Sequence, residues 1–254
     1  MTKMIITDLD NTLLRNDKTI SHYTASVLNK CRQNNIKIVF ATARPARVAQ
    51  HDIFTPDAII ADNGAIIDYG GKVIHKTFIQ NKTLNLFIKE LIASENVTCL
   101  TVETGEKLFI SKEQQLWAAD DNRWNLIYND FSADISEQAT KLAIEYKDIS
   151  MLRTLMKNYP ELHLYENTGS NWCQAMHVSS TKNNAVKILA DYYNYNLNEI
   201  LAFGDDYNDV EMLKQCGTGV AVSNAIEEAK AVADYICGSN DNDGVAKWLE
   251  EHIL

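Results

Sequence analysis

Short apolar runs and amphipathic stretches take turns at both ends of this chain, and that alternation predicts its architecture. Residues 3–7 form an apolar run that stops at Asp8-Leu9-Asp10. Residues 21–34 repeat apolar side chains at helical spacing, with Tyr23, Val27, Leu28 and Cys31 on one face and Ser21 placed as N-cap. Residues 36–41 are a second strand, rich in branched side chains. Thr42-Ala43-Arg44-Pro45 then turns into another predicted helix, with Pro45 near a first-turn position. Residues 58–61 predict a third strand, ending at Asp62-Asn63-Gly64-Ala65. The tail repeats the grammar: a helix over 182–193, a strand over 200–203, a helix over 210–215, a strand over 219–222 and a helix over 225–233. Asp243-Gly244 opens a last helix. Strands separated by helices predict a parallel sheet with right-handed crossovers.

The middle of the chain has a different pattern. Helical stretches (83–94, 136–145, 149–158) mix there with strand-like ones (98–103, 108–111, 162–166, 172–178). Trp117, Trp124 and Trp172 fall in this part. The pattern predicts an α+β domain over 81–178 inserted into an α/β domain made of 1–80 and 179–254.

Composition narrows the function classes. The chain has 254 residues, 46% hydrophobic and 23% charged, enough for a sizeable core. Its formal net charge of -10 argues against binding a nucleic-acid backbone, which needs a basic footprint. No apolar run approaches the length of a membrane span. The chain enters its first strand without the basic, apolar and small-residue zones of a secretory leader, so a cytoplasmic protein is expected. Cys31, Cys99, Cys173, Cys216 and Cys237 are scattered and never in C-x-x-C spacing, which predicts free thiols and no zinc site.

Candidate chemistry collects at strand ends. Asp8 and Asp10 are two residues apart, a spacing that puts both carboxylates on one face of a strand, where they repel. A site that binds a divalent cation and needs a nucleophile and a proton shuttle uses such a pair. Thr42 follows the second strand, Lys182 starts a helix, and Asp205, Asn208 and Asp209 follow Leu201-Ala202-Phe203-Gly204. Ligands of an open parallel sheet sit beyond the carboxyl ends of its strands, so these remote pieces can share one crevice. Carboxylates suit Mg²⁺, while a hydroxyl, an amide and an ammonium suit a phosphoryl group.

In this order and context the pieces resemble the haloacid dehalogenase superfamily, and more closely its Cof-type sugar-phosphate phosphatases with an inserted cap (subclass IIB). The resemblance rests on Asp8-Leu9-Asp10-Asn11-Thr12-Leu13-Leu14, Ala41-Thr42-Ala43-Arg44, Asn63-Gly64-Ala65 and Lys182. It continues through Gly204-Asp205-x-x-Asn208-Asp209 with Met212-Leu213, Val220-Ala221-x-x-Asn224-Ala225 and Asn242-Asp243-Gly244-Val245-Ala246. It implies a Rossmann-like parallel-sheet core with an inserted α+β cap that closes over the site. It also implies Mg²⁺-dependent hydrolysis of phosphate monoesters of small metabolites. Asp8 would be the nucleophile and Asp10 the general acid and base. Asp8, the Asp10 carbonyl and Asp205 would hold Mg²⁺, with Asp209 supporting the metal shell. Thr42, the Leu9 and Ala43 backbone, Lys182 and Asn208 would bind phosphoryl oxygens. The chain departs from the family pattern at Ala43 and Asn183, where glycine is usual, and at Gln174, where many relatives have glutamate.

Competing readings are a phosphomutase on the same scaffold and a protein that binds a phosphorylated ligand without turnover. A dehalogenase lacks an acid at the Asp10 position, and an ATP-driven pump would need membrane spans. No G-x-G-x-x-G follows a predicted strand, which excludes a Rossmann dehydrogenase. Plainer readings also exist. Lys182 could be a surface lysine, Thr42 a helix cap, and Asp206 and Tyr207 loop scaffolding; Arg44 could touch substrate or pair with an acid. Glu103, Trp117, Trp124, Tyr165, Trp172 and His177 could line a substrate pocket, although aromatics in such a domain more often build the core.

Overall fold

The computed structural model describes residues 1–111, 122–167 and 169–254. They form two compact units, Met1–His75 with Thr181–Leu254, and Lys76–Ser180. The first unit opens with β1 (Met4–Asp8), α1 (His22–Gln33), β2 (Lys37–Ala41), β3 (Ala58–Ala61), β4 (Ile66–Tyr69) and β5 (Lys72–Lys76). The second contains α2 (Asn81–Ala93), β6 (Val97–Glu103), β7 (Leu108–Ile110), β8 (Leu126–Tyr128), β9 (Lys141–Tyr146), α3 (Ile149–Leu155), β10 (Leu162–Glu166) and β11 (Trp172–His177). The chain then returns with α4 (Lys182–Tyr193), β12 (Ile200–Gly204), α5 (Val210–Gln215), β13 (Thr218–Val222), α6 (Glu227–Val232), β14 (Tyr235–Cys237) and α7 (Gly244–His252).

The first unit is built on an eight-stranded sheet in the order β14-β13-β12-β1-β2-β3-β4-β5. From β14 to β3 every neighbouring pair is parallel, and β4 adds antiparallel to β3. All residues of β1, β3 and β12 are buried, which is why they read as continuous apolar runs rather than alternating ones. Register places the carboxyl ends together: Asp8 pairs with Ala41, and Thr7 with Phe203. Asp8, Thr42 and the residues after Gly204 therefore leave the sheet at the same edge. Side-chain caps start two of the helices: Ser21, as expected, accepts from the Thr24 N–H, and Thr181, which the sequence reading did not name, accepts from the Asn184 N–H.

Two expectations fail in this unit. No helix follows Pro45. One turn closes there, with the Val48 and Ala49 N–H groups donating to the Pro45 carbonyl, and the chain stays irregular up to β3. After Pro45 the buried apolar side chains fall at Val48, Ala49 and Phe54, not at the three- and four-residue spacing that gives a helix one buried face. Phe54 lies 5.9 Å from the Phe40 ring. The other failure is omission: β4, β5 and β14 are not in the sequence reading. The β4–β5 connection runs through Gly70 and Gly71 at φ 58° and 84°, a region open to glycine at little cost.

The second unit has its own six-stranded sheet, β10-β11-β9-β6-β7-β8. Its pairs are antiparallel except β7 with β8. Leu84, Phe87, Ile88 and Leu91 of α2 share a core with Leu100, Val102, Leu142 and Ile144. The predicted helix over 136–145 is a misreading: most of its second half is β9, paired with β6 on one side and β11 on the other. Leu142 and Ile144 are buried two residues apart, a period of two that a short window confuses with a helical stripe. The short strand β8 is also absent from the sequence reading.

The five cysteines are free, as expected, and all are buried. Among the described residues, no helix is long and apolar enough to cross a membrane.

Candidate active site

The strand edge brings Asp8, Lys182, Asp205 and Asp209 into one buried cluster. Lys182 Nζ donates to Asp8 Oδ1 at 2.5 Å and to Asp209 Oδ1 at 2.7 Å. Lys182 is 1% exposed, so the surface-lysine reading fails. Asp209 Oδ2 accepts from the backbone N–H of Asp205 at 3.0 Å and of Asp206 at 3.3 Å, folding the loop after β12 around its carboxylate. Gly204 makes this possible: a Cβ there would stand 2.5 Å from Asp209 Cβ. Thr12 Oγ1 donates to Asp205 Oδ1 at 2.7 Å, tying the turn after β1 to the same cluster. Asp206 bonds the Tyr207 N–H and Tyr207 is exposed, so both act as loop scaffolding.

Electrostatics describe an anionic pocket around one cation. Burial raises the Asp8 carboxyl well above its ordinary value; Lys182 opposes this, while Asp209 and Asp205 add to it. Burial, with Asp209 beside it, pushes Asp205 up to about 6. Burial also disfavours the Lys182 ammonium, but Asp209 and Asp8 outweigh it and hold the amine charged. One atom each from Asp8, Asp205 and Asp209 lie within 4.8 Å of one another. Three carboxylates and one ammonium leave a formal charge of about -2 when all are ionised, and the free donors are hard oxygens. That set fits a divalent cation.

Asp10 stands apart from this cluster. The strand ends at Asp8, and Leu9–Leu13 forms a π-type turn broken at Asp10 and at Asn11, whose φ is 61°. The shared strand face expected for Asp8 and Asp10 is therefore not what relates them. Arg44 grips the Asp10 carboxylate with Nε at 2.7 Å and Nη2 at 2.6 Å, and Lys18 Nζ reaches it at 2.9 Å. Partial burial works against ionisation of Asp10, but the bonds and charges of Arg44 and Lys18 hold its pKa below the ordinary value. Arg44 thus pairs with an acid. The Asp10 side chain is not among the clustered carboxylates, so only its carbonyl remains as a candidate metal ligand.

Thr42 is buried, and its Oγ1 accepts from the Arg44 N–H at 3.1 Å, which tightens the turn holding Ala43. No helix begins there, so the cap reading fails. Asn208 is half-buried and donates from Nδ2 to Asn63 Oδ1 at 2.8 Å. Leu9 is fully buried directly after Asp8. Lys18, Thr12 and Asn63 had no assigned role in the sequence reading; Thr12 and Asn63 were visible only as parts of matched motifs.

Comparison with known proteins decides the class. The sequence profile of the haloacid dehalogenase-like hydrolases matches residues 5–249. The chain belongs to that family. This haloacid dehalogenase-like hydrolase is similar to a Haemophilus influenzae protein provisionally named a phosphatase, 30% identical over 99% of this chain and 98% of the other. It is similar to a 5-amino-6-(5-phospho-D-ribitylamino)uracil phosphatase of Bacillus subtilis, 29% identical over 98% of this chain and 97% of the other. Among solved structures it resembles a haloalkanoate-superfamily phosphatase from Bacteroides thetaiotaomicron, with TM-score 0.84, 26% identity, and coverage of 99% and 95%. The fold is accordingly the α/β haloacid dehalogenase core with an inserted α+β cap, and the enzyme is a phosphoric monoester hydrolase. In the second unit, Phe87, Phe109, Phe131 and Tyr159 are the core aromatics, while Trp124, Tyr165 and Trp172 are half-buried. Trp117 lies outside the described residues. Gln174 Nε2 donates to Asn167 Oδ1 at 3.2 Å.

Proposed function

We propose that this enzyme hydrolyses phosphate monoesters of small metabolites, with Mg²⁺ as cofactor and Asp8 as nucleophile. The observation that carries the reading is the buried ammonium of Lys182, bonded at once to Asp8 and Asp209 beside Asp205. Asp8, Asp205 and the Asp10 carbonyl would hold Mg²⁺, with Asp209 supporting them. When bound, the ion would neutralise charge on the transferring oxygens.

The chain's own residues account for the bond changes. An Asp8 carboxylate oxygen attacks phosphorus while the ester P–O bond breaks. The electron pair leaves on the ester oxygen, which takes a proton from Asp10. Asp10, now ionised, takes a proton from water as that water's oxygen attacks phosphorus. The bond from phosphorus to Asp8 breaks, releasing inorganic phosphate. Proton donation in the first step requires Asp10 protonated and released from the Arg44 and Lys18 bonds that hold it ionised in this structure; the second step uses the ionised form that those bonds favour. Thr42 Oγ1, the Leu9 and Ala43 N–H groups, Lys182 and Asn208 bind phosphoryl oxygens. Acid–base help of this kind contributes about a hundred- to ten-thousandfold.

p-Nitrophenyl phosphate hydrolysis with and without Mg²⁺ tests the reading. Turnover should require the metal and fall on the order of a thousandfold or more in Asp8→Asn, with unchanged circular dichroism. Equal activity in that variant would remove Asp8 as nucleophile. A panel of sugar phosphates, including 5-amino-6-(5-phospho-D-ribitylamino)uracil for its relative's sake, should then rank the natural substrate class.

A further inference from the structure

The turn after β3 touches three of the pieces gathered at the site. Asp62, Asn63 and Gly64 follow one another in left-handed backbone, at φ 47°, 52° and 100°. Asp62 and Asn63 are 0% and 2% exposed. Left-handed backbone disfavours L-residues, least so Asn and Asp, and buried polar groups need partners. Two strained residues in succession persist only where their surroundings hold them. Here the Asp62 N–H donates to the Arg44 carbonyl at 3.0 Å and the Asn63 N–H to the Thr42 carbonyl at 2.9 Å. A Cβ on Gly64 would stand 2.2 Å from the carbonyl oxygen of Thr181, the N-cap of the helix that starts with Lys182. The side chain of Asn63 completes the set by accepting from Asn208 Nδ2 at 2.8 Å. The turn is therefore braced against the Thr42 turn, the start of the Lys182 helix and Asn208.

We propose that Asn63 is a positioning residue that orients the carboxamide of Asn208 toward phosphate. The proposal rests on the reading of Asn208 as a phosphoryl ligand. A carboxamide has two N–H donors on one side and an acceptor oxygen on the other. Rotated by half a turn, it would offer its oxygen to an anion and repel it. The Asn63 oxygen engages one N–H and fixes the nitrogen side inward, leaving the second N–H for a phosphoryl oxygen. Asn63 touches no substrate in this scheme; it acts through Asn208. Its left-handed backbone matters too, because a residue intolerant of positive φ would move the acceptor and the Thr42 turn together.

A double-mutant cycle tests it. The readouts are the dissociation constant of inorganic phosphate by calorimetry in Mg²⁺ buffer, and KM and kcat for p-nitrophenyl phosphate. Asn63→Gly keeps the backbone conformation and removes the acceptor; Asn63→Asp keeps both. Asn208→Ala should weaken phosphate binding about tenfold in the natural sequence, the scale of one hydrogen bond to a charged group. It should do the same in the Asn63→Asp background, where a uniform charge effect cancels. In Asn63→Gly it should cost less than about twofold, and Asn63→Gly alone should raise KM more than it lowers kcat. An undiminished tenfold cost in Asn63→Gly, or phosphate binding as tight in Asn63→Gly as in the natural sequence, overturns the proposal. So does an Asn208→Ala variant that binds phosphate normally. If Asn63→Gly fails to fold, Asn63→Ser, whose shorter side chain withdraws the acceptor from Asn208, takes its place: an Asn208→Ala cost below about twofold there supports the proposal and an undiminished tenfold cost overturns it. Absence of p-nitrophenyl phosphate turnover would defeat the phosphatase reading, while the phosphate-binding cycle still decides on Asn63. No phosphate binding by the natural sequence would sink both.

Discussion

Thr12 shows how much of the site depends on side chains that do no chemistry. Its hydroxyl donates to Asp205 Oδ1 at 2.7 Å, fixing a carboxylate whose pKa burial has already raised. Thr12→Val keeps the shape and removes the donor, leaving Asp205 free to rotate. The Mg²⁺ concentration for half-maximal activity should rise about ten- to a hundredfold, the usual cost of losing a group that orients a metal ligand. A metal titration of activity measures it, and an unchanged midpoint would mean that Asp205 is held by other means. The candidate residues themselves were legible because charged or polar types after apolar strands are chemically odd, as at Asp8, Thr42, Asp205, Asn208 and Asp209, and because Lys182 opens a helix, where the dipole disfavours a cation. Their partners were not. Nothing in spacing says that Lys18 reaches Asp10 or that Asn63 faces Asn208, because both pairings depend on where separate turns land.

At the level of elements, the start of α7 is tied to distant parts of the first unit through one aspartate. Asp243 sits at φ 53° before α7 and accepts from Arg15 Nε at 3.2 Å, Arg15 Nη2 at 2.6 Å and Thr24 Oγ1 at 3.2 Å. Partial burial opposes its ionisation, but bonds from Arg15, Ser21 and Thr24 and the Arg15 charge prevail, and its pKa lies below the ordinary carboxylate value. A depressed folded-state pKa stabilises the fold above the unfolded-state value. That stability disappears as pH falls through the folded value. Asp243→Asn tolerates the same backbone and should lose about 1 kcal/mol near neutral pH, the upper end for a half-exposed pair. The difference from the natural sequence should begin to close below about pH 4 and vanish under still more acid conditions. Urea midpoints at pH 7 and pH 3 decide it; a difference that widens in acid would contradict the sign. Elements with side-chain caps, such as α1 and α4, could be read within a residue or so because the cap is a local chemical signal. β9 could not, because its two-residue period spans only six positions and its strand identity comes from β6 and β11.

At the scale of the whole molecule the described residues form two hydrophobic cores, one per unit, and every proposed ligand belongs to the first. Asp8, Asp10, Thr42, Lys182, Asp205, Asn208 and Asp209 all lie within Met1–His75 or Thr181–Leu254. The second core centres on side chains such as Phe87, fully buried with its ring 4.9 Å from that of Tyr159. Chains with separate cores need not unfold in one step, and a ligand stabilises only the unit that binds it. Calorimetric unfolding should therefore resolve into two transitions with different responses. Mg²⁺ with inorganic phosphate at about a hundred times the dissociation constant should stabilise one of them by about 2.7 kcal/mol. Phe87→Ala should destabilise the other by about 3–5 kcal/mol and leave the ligand-sensitive one in place. The discontinuous unit makes this a demanding test. β1 pairs with β2 from its own segment and with β12 from the distant one, so neither segment completes the sheet alone. If Phe87→Ala lowers both transitions together, or if ligand raises both, the two cores form one cooperative body and the assignment of the ligand set to a single folding unit fails.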